Sequence, residues 1–172
     1  MIIRQTHSEF DEFKFSMLFL SRIELAIVAR IAGTYSSDEN MLAVRVYEQM
    51  YELHKRMFID EVEGDKTLGM IYNNYSSKLG LSKKYEKTLE IISEGIKHEI
   101  TTKSLNPSHS LIYNIGYTKM YQNKSPEEVI PYFALSYFVA NSLAPYHNRC
   151  KICAGNAKSK LKEKFGIDID CN

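Results

Sequence analysis

The sequence predicts an all-α fold: a single domain of 172 residues, residues 1–172, folded as an orthogonal bundle of about seven helices. A long N-terminal helical hairpin should pack on a C-terminal helical bundle. Three observations carry this expectation. Apolar residues recur at three- and four-residue spacing along nearly the whole chain. Residues that open and close helices fall between those stripes at short intervals. Only 8 Gly and 4 Pro occur, too few for a turn-dense β chain.

The first helix should open at Ser8 with Asp11, where side chains satisfy orphan N–H groups. Phe10, Phe13, Met17, Leu18, Leu25 and Val28 form its stripe, and Gly33 closes it. Ser36 with Glu39 opens the second, with Leu42, Val46, Met50, Leu53, Met57, Phe58 and Val62 inward, ending at Gly64. So short a link makes the two an antiparallel hairpin. Asp65 caps a third helix carrying Leu68, Ile71, Tyr72, Tyr75 and Leu79, stopped by Gly80. Ser82 caps a fourth, with Tyr85, Leu89, Ile92, Ile96 and Ile100.

Asn106-Pro107 supplies a cap and a first-turn proline to a fifth helix ending near Tyr121. Ser125-Pro126-Glu127-Glu128 joins cap, proline and box glutamate in one helix start. The run behind it to Ala144 is apolar on nearly every side, which predicts a central buried helix. Pro131 should kink that helix or delay its regular start. A last helix, capped by Asn148, runs to Phe165 and stops at Gly166. No self-similar period stands out in the sequence.

Charge is nearly balanced, 22 Lys and Arg against 21 Asp and Glu, so no global field drives the chain onto nucleic acid or membrane. The N-terminal residues lack the pattern of a secretory signal. Arg22, Glu24 and Arg30 interrupt the one stretch whose length suggests a membrane span. The expected location is cytoplasmic, with no membrane partner. The neutral total nonetheless conceals a dipole. Residues 38–66 hold eight acidic against four basic side chains. The last helix carries Arg149, Lys151, Lys158, Lys160, Lys162 and Lys164 against Glu163 alone. Such a helix can track phosphates with release of counterions, face an acidic protein, or simply be a solvated flank.

His147, Cys150 and Cys153, with Cys171, make a Cys₃His set of the kind that zinc prefers. The alternative, and the preferred one, places Cys150, Cys153, Ala157, Leu161 and Phe165 on one apolar stripe, where free cysteine behaves as a small hydrophobe. A helix N-terminus can also lower a thiol's pKa. Cys150-x-x-Cys153 is similar to the motif of the alkylhydroperoxidase D and carboxymuconolactone decarboxylase family, which implies thiol redox chemistry. That family's relay histidine lies four residues after the second cysteine, where this chain has Ala157.

Tyr113, Tyr117 and Tyr121 line one face of the fifth helix near Lys119 and Lys124. They read as core packing, with stacking of single-stranded nucleic acid as the alternative. Glu86, Glu90, Glu94 and His98 repeat along one face of the fourth helix, interleaved with Lys83, Lys87 and Lys97. A solvated, salt-bridged face explains them. The element order from Leu81 onward, from LGLSKKYEKTLEIISEGIKHE to KLKEKFGI, resembles a cyclin-box repeat of the archaeal transcription initiation factor B type, which implies contacts to DNA and polymerase.

No phosphate-binding glycine loop, HExxH or GxSxG nucleophile turn occurs. The functional expectation is a non-enzymatic interaction or regulatory protein that presents the basic C-terminal helix, Arg149 to Lys164, to nucleic acid or an acidic protein surface. It needs no cofactor, and zinc or thiol redox chemistry at Cys150 and Cys153 is the alternative. Phe15, Phe19, Ile23 and Ile27, roughly opposite the main stripe of the first helix, predict a homodimer.

Overall fold

Among the described residues the apolar stripes become seven helices. In the computed structural model, residues 22–35, 40–57, 67–102 and 108–169 are described. They form α1 (Arg22–Gly33), α2 (Asn40–Met57), α3 (Thr67–Leu81), α4 (Tyr85–Thr102), α5 (Ser108–Tyr121), α6 (Pro126–Leu143) and α7 (Asn148–Phe165). No strand occurs among the described residues, and the predicted all-α bundle of about seven helices is what forms. The expected openings at Ser8, Ser36, Asp65 and Asn106-Pro107 lie outside the described residues. So do Phe10, Phe13, Phe15, Met17, Leu18, Phe19, Phe58 and Val62, and the side chains of Ile23, Leu25 and Met57.

Each helix packs on the next in sequence, most extensively α6 on α7, α5 on α6 and α3 on α4. In addition α1 touches α3, α3 touches α5, and α5 touches α7. Among the described residues α2, α4 and α6 make no comparable contact with one another. The odd-numbered helices therefore form one continuous layer and the even-numbered ones lie behind it. Such a layered stack resembles repeat architectures, where each unit contacts its neighbours.

The core follows the stack. One cluster runs through α1 to α5, including Ala29, Tyr47, Met50, Ile71, Tyr75, Ile91 and Leu111. Two smaller ones join α6 to α7, around Tyr137 with Ala157 and around Phe133 with Leu161. Tyr113 of α5 packs against both.

The turns after α3 and α5 are copies of each other. After α3, the Lys83 N–H donates to Gly80 and the Lys84 N–H to Leu79. After α5, Asn123 donates to Met120 and Lys124 to Lys119 in the same pattern. This is the Schellman closure, which needs a left-handed residue just past the helix. Lys83 and Asn123 supply it at φ 59° and 55°. Gly80, expected to end α3, instead lies buried within its last turn, where even a Cβ would meet Thr118 and Thr88 only at ordinary contact distance. A repeat not apparent as a sequence period is thus plain in the backbone.

Other expectations shift by part of a turn. α4 buries Thr88, Ile91, Ile92, Gly95 and Glu99, and leaves Ile100 at 72% exposure. The cause is Gly95: a Cβ there would stand 2.9 Å from the Cβ of Tyr72 and from Leu111, so α4 is rolled to press its backbone against α3 and α5. Lys84, whose carbonyl accepts from Thr88, begins α4 in place of the expected Ser82. α6 is not buried all round. It hides Val129, Phe133, Ser136, Tyr137 and Ala140 and leaves Leu135 and Phe138 about half exposed, since only one flank meets α5 and α7. Pro131 does not delay its start at Pro126. Ser125 makes no side-chain cap, and Glu128 pairs instead with Lys119 at 3.7 Å. His147 rather than Asn148 occupies the cap position of α7, which ends at Gly166 with φ 69° as expected.

Two substitutions test this account. Lys83→Gly removes a left-handed penalty of about 1–2 kcal/mol and adds unfolded-state entropy worth about 0.4–1 kcal/mol. A net gain of about 0.5–1 kcal/mol is expected in urea melts. Gly95→Ala should lose about 1–3 kcal/mol, because the added methyl meets backbone-proximal atoms that cannot swing away. An unchanged midpoint for Gly95→Ala would show that α3, α4 and α5 are not held together there.

Candidate functional site

The layer formed by α3, α5 and α7 carries the two cavities from which a site is built. The first, about 260 Å³, lies between α3 and α5 and is lined by Ser77, Gly80, Tyr113, Asn114, Tyr117 and Tyr121, among others. The second, about 180 Å³, continues toward α7 and meets Asn73, His109, Ser110, Arg149, Cys153 and Asn156. Tyr113 and Asn114 border both, so the two are parts of one groove.

Helical periodicity explains the composition of its walls. Arg149, Cys153, Asn156 and Lys160 recur along α7 at three- and four-residue steps and so share one face. Ser110, Tyr113, Tyr117 and Tyr121 do the same on α5. The seam between α3 and α5 is closed by Asn114. Its Nδ2 donates to the Asn73 carbonyl at 3.0 Å and to the Ser76 hydroxyl at 2.9 Å. Ser76 in turn donates to the Asn73 carbonyl at 2.9 Å.

The tyrosines form a stepped wall. Ring centroids of Tyr113 and Tyr117 are 5.6 Å apart, and those of Tyr117 and Tyr121 5.1 Å. Phe133 of α6 supports Tyr113 from behind, edge to face at 5.1 Å. The expected core packing holds in part: Tyr113 and Tyr117 are partly buried and pack against the cluster of Phe133 and Leu161, while Tyr121 is exposed. Burial pushes the Tyr113 phenol up to about 12. Burial and its bond with Tyr117 also raise Tyr121, while Lys160 and Lys164 pull it back.

The predicted basic residues divide into two groups. Lys162 and Lys158 pair with Asp168 at 2.7 and 3.7 Å, beyond the end of α7. Lys160 turns the other way and stands over the Tyr117 ring at 5.3 Å. Arg149 lines the second cavity. Lys151 and Lys164 are exposed. Among the described residues neither cavity has an acidic side chain in its wall.

The thiol expectations fare differently. Cys150 is buried and Cys153 partly buried, so both sit on the apolar stripe with Ala157 and Leu161. Burial first, and Cys153 second, push the Cys150 thiol up against an opposing effect of Arg149, the reverse of an activated nucleophile. His147 is exposed at the start of α7, and Cys171 lies outside the described residues. Among the described residues no three His, Cys, Asp or Glu side chains stand close enough to hold a metal ion. On α4, Glu94 accepts from Tyr51 and pairs with Lys55 at 3.4 Å, and Glu90 pairs with Lys87 at 2.8 Å. That face is a salt-bridged flank, as its spacing suggests.

His109 was not singled out by spacing, yet it forms part of the groove floor at 0% exposure. Its ring nitrogens have no hydrogen-bond partner among the described residues. Burial, reinforced by the Arg149 guanidinium, pushes it down to about 4. The Ser136 hydroxyl donates to its carbonyl at 2.8 Å and fixes its place on α5. No signal in the sequence marks it, because its surroundings come from four helices.

Among the described residues no helix is long and apolar enough to cross a membrane. No family model, curated protein or solved structure matches this chain.

The Asn114 network gives a direct test of the seam. Asn114→Leu leaves the Ser76 hydroxyl without its donor and the Asn73 carbonyl with Ser76 alone, and should cost about 1–3 kcal/mol of stability. Amides of α3 and α5 should then exchange faster than those of α1 and α2. Equal protection throughout would show that the seam does not depend on this side chain.

Proposed function

We propose that this protein is a non-enzymatic interaction module whose α3–α5–α7 groove holds an extended acidic segment of a partner protein. The observation that carries the reading is the groove itself: a stepped tyrosine wall, amide side chains, cationic Arg149 in the wall and Lys160 over Tyr117, with no acidic group among the described residues that line either cavity. Tyrosine supplies broad contact area at small entropic loss, and its hydroxyl satisfies backbone groups of an extended chain. Stacks of helical repeats present such continuous binding surfaces. The basic C-terminal helix then acts through the face it turns to the groove.

The nucleic-acid reading competes for the same lysines. With Lys158 and Lys162 committed to Asp168, it retains Arg149, Lys151, Lys160 and Lys164. For about four phosphate contacts the slope of log K against log salt is roughly −3.6. A labelled peptide alternating glutamate and alanine, its lysine counterpart, and single-stranded and duplex DNA separate the two by fluorescence anisotropy. The acidic peptide is expected to bind, and Lys160→Glu or Tyr117→Ala to weaken it about tenfold. Tighter binding of DNA with the steep salt slope would transfer the function to nucleic acid. Binding of the lysine peptide alone would remove the reading.

Association of two copies belongs with this proposal, supported by Ile27 and Ile31, which are 52% and 54% exposed on α1. Light scattering should return twice the 19.9 kDa chain mass.

A further inference from the structure

We infer that the cavity between α3 and α5 is an anchor pocket, which takes one aromatic side chain of the bound segment, flanked there by acidic residues. This rests on the groove reading above and names the side chain that the groove selects.

The cavity exists because two rows of unequal size face each other. On α3, Ser76, Ser77 and Gly80 recur at three- and four-residue steps, and on α5 Tyr113, Tyr117 and Tyr121 recur at four. Small residues opposite rings leave about 260 Å³ between the two helices. An apolar cavity of about 150 Å³ is already enough for a benzene ring. The space is open to a ligand. Ser77, Leu81 and Tyr121 at its mouth are exposed, whereas Ser76, Gly80 and Thr118 beneath them are buried.

The floor decides against a polar occupant, because its hydrogen bonds are already made. Ser76 donates to the Asn73 carbonyl at 2.9 Å and accepts from Asn114 at 2.9 Å. Thr118 donates to the Asn114 carbonyl at 2.8 Å, and the Gly80 carbonyl accepts from the Lys83 N–H. A carboxylate or amide pushed onto this floor would leave water and find its partners taken. An apolar group meets no such cost and removes apolar surface from water.

The walls then select among apolar groups. The tyrosine rings follow one another at 5.6 and 5.1 Å between centroids, inside the roughly 4.5–7 Å over which rings attract. A ligand ring extends that series, and an aliphatic side chain does not.

Charge places the acids beside the anchor. Lys160 stands over the Tyr117 ring at 5.3 Å, and Lys160 and Lys164 both act on the Tyr121 phenol. Glu163 acts on Tyr113 instead, so the wall is more positive toward Tyr117 and Tyr121. Residues of an extended chain advance about 3.3 Å each, and alternate side chains share a face. An acid two positions from the anchor therefore lies about 7 Å along the same face, within the span of a lysine side chain.

The test is fluorescence anisotropy with labelled nonapeptides that alternate glutamate and alanine around a central phenylalanine, cyclohexylalanine or alanine. The phenylalanine peptide is expected to bind at least about tenfold tighter than the alanine peptide. It should also bind about threefold tighter than the cyclohexylalanine peptide, which has the same bulk and no π face. Ser77→Trp fills the pocket from an exposed position, so the melting temperature should hold. The phenylalanine peptide should then fall to the affinity of the alanine peptide, itself unchanged. Tyr121→Ala, also at an exposed position, removes the outer ring and should cut the phenylalanine preference at least about threefold, which covers the case in which Ser77→Trp lowers the melting temperature.

Equal binding of the phenylalanine and alanine peptides would overturn the pocket and leave the groove reading standing. Equal binding of the cyclohexylalanine peptide would overturn the choice of an aromatic side chain. A phenylalanine preference undiminished in both variants would place the ring elsewhere and overturn the inference as well. If the acidic peptides fail and a lysine–alanine peptide with central phenylalanine binds, and Ser77→Trp abolishes that binding, the pocket stands and the acidic reading falls. If no peptide binds and toluene alone shifts the Tyr117 ring signals in NMR, the occupant is a small aromatic molecule and both fall.

Discussion

The hydrogen bonds from Asn114 into α3 are the constraint on which the site depends. They tie two helices that are not consecutive, across a seam where Ser76 is buried and Gly80 meets Thr118. A polar side chain committed across such a seam fixes register in a way that apolar packing does not, because any slide leaves a buried donor unmatched. With α3 and α5 held side by side, their exposed faces become one wall. Everything proposed for the groove uses that wall.

The second helix layer holds the first from behind. Gly95 brings the backbone of α4 against Tyr72 of α3 and Leu111 of α5, and Phe133 of α6 braces Tyr113. The apolar surface lies between the two layers, which leaves Asn73 and Asn114, bonded to each other across the seam, and the tyrosine edges on the groove side. This division also explains why α6, the most apolar run in the chain, still exposes Leu135 and Phe138. Among the described residues α6 packs extensively on α5 and α7 alone, so its uniformly apolar sequence is not uniformly buried.

That point marks the limit of what was legible in the sequence. Periodicity located the helices because burial repeats with the helical turn, and Leu68, Ile71, Tyr72, Tyr75 and Leu79 are all buried as their spacing predicts. The limits of α7 were legible for the same local reason, since Gly166 adopts the left-handed conformation that ends it. Helix stops that rest on unusual residues were not. Lys83 and Asn123 take positive φ where glycine is the usual signal, so the repeated turn stayed hidden and Gly80 drew the assignment. Nor does periodicity state which neighbour covers a stripe. It placed Tyr113, Tyr117 and Tyr121 on one face correctly and could not tell a core from a groove. His109 was illegible altogether, because its surroundings are the joint product of α3, α5, α6 and α7.

The basic helix shows how the structure changes the meaning of a charge run. Counted along the chain, Arg149 to Lys164 is one cationic surface. In three dimensions Asp168 returns against Lys158 and Lys162, and the helix is left with an internally compensated flank and a cationic edge beside the tyrosines. Exposed ion pairs contribute little stability, about 0–1 kcal/mol each. Their consequence here is directional. They hold two of the lysines on the outer side of α7, while Lys160 over Tyr117 and Arg149 in the wall of the second cavity turn toward the groove. Glu163 of the same helix is the acid that acts on Tyr113. A charge count along the helix therefore gives the number of cations but not the face that offers them. Among the groove's aromatic and amide groups, the cations of α7 that stand beside them are Lys160 and Arg149.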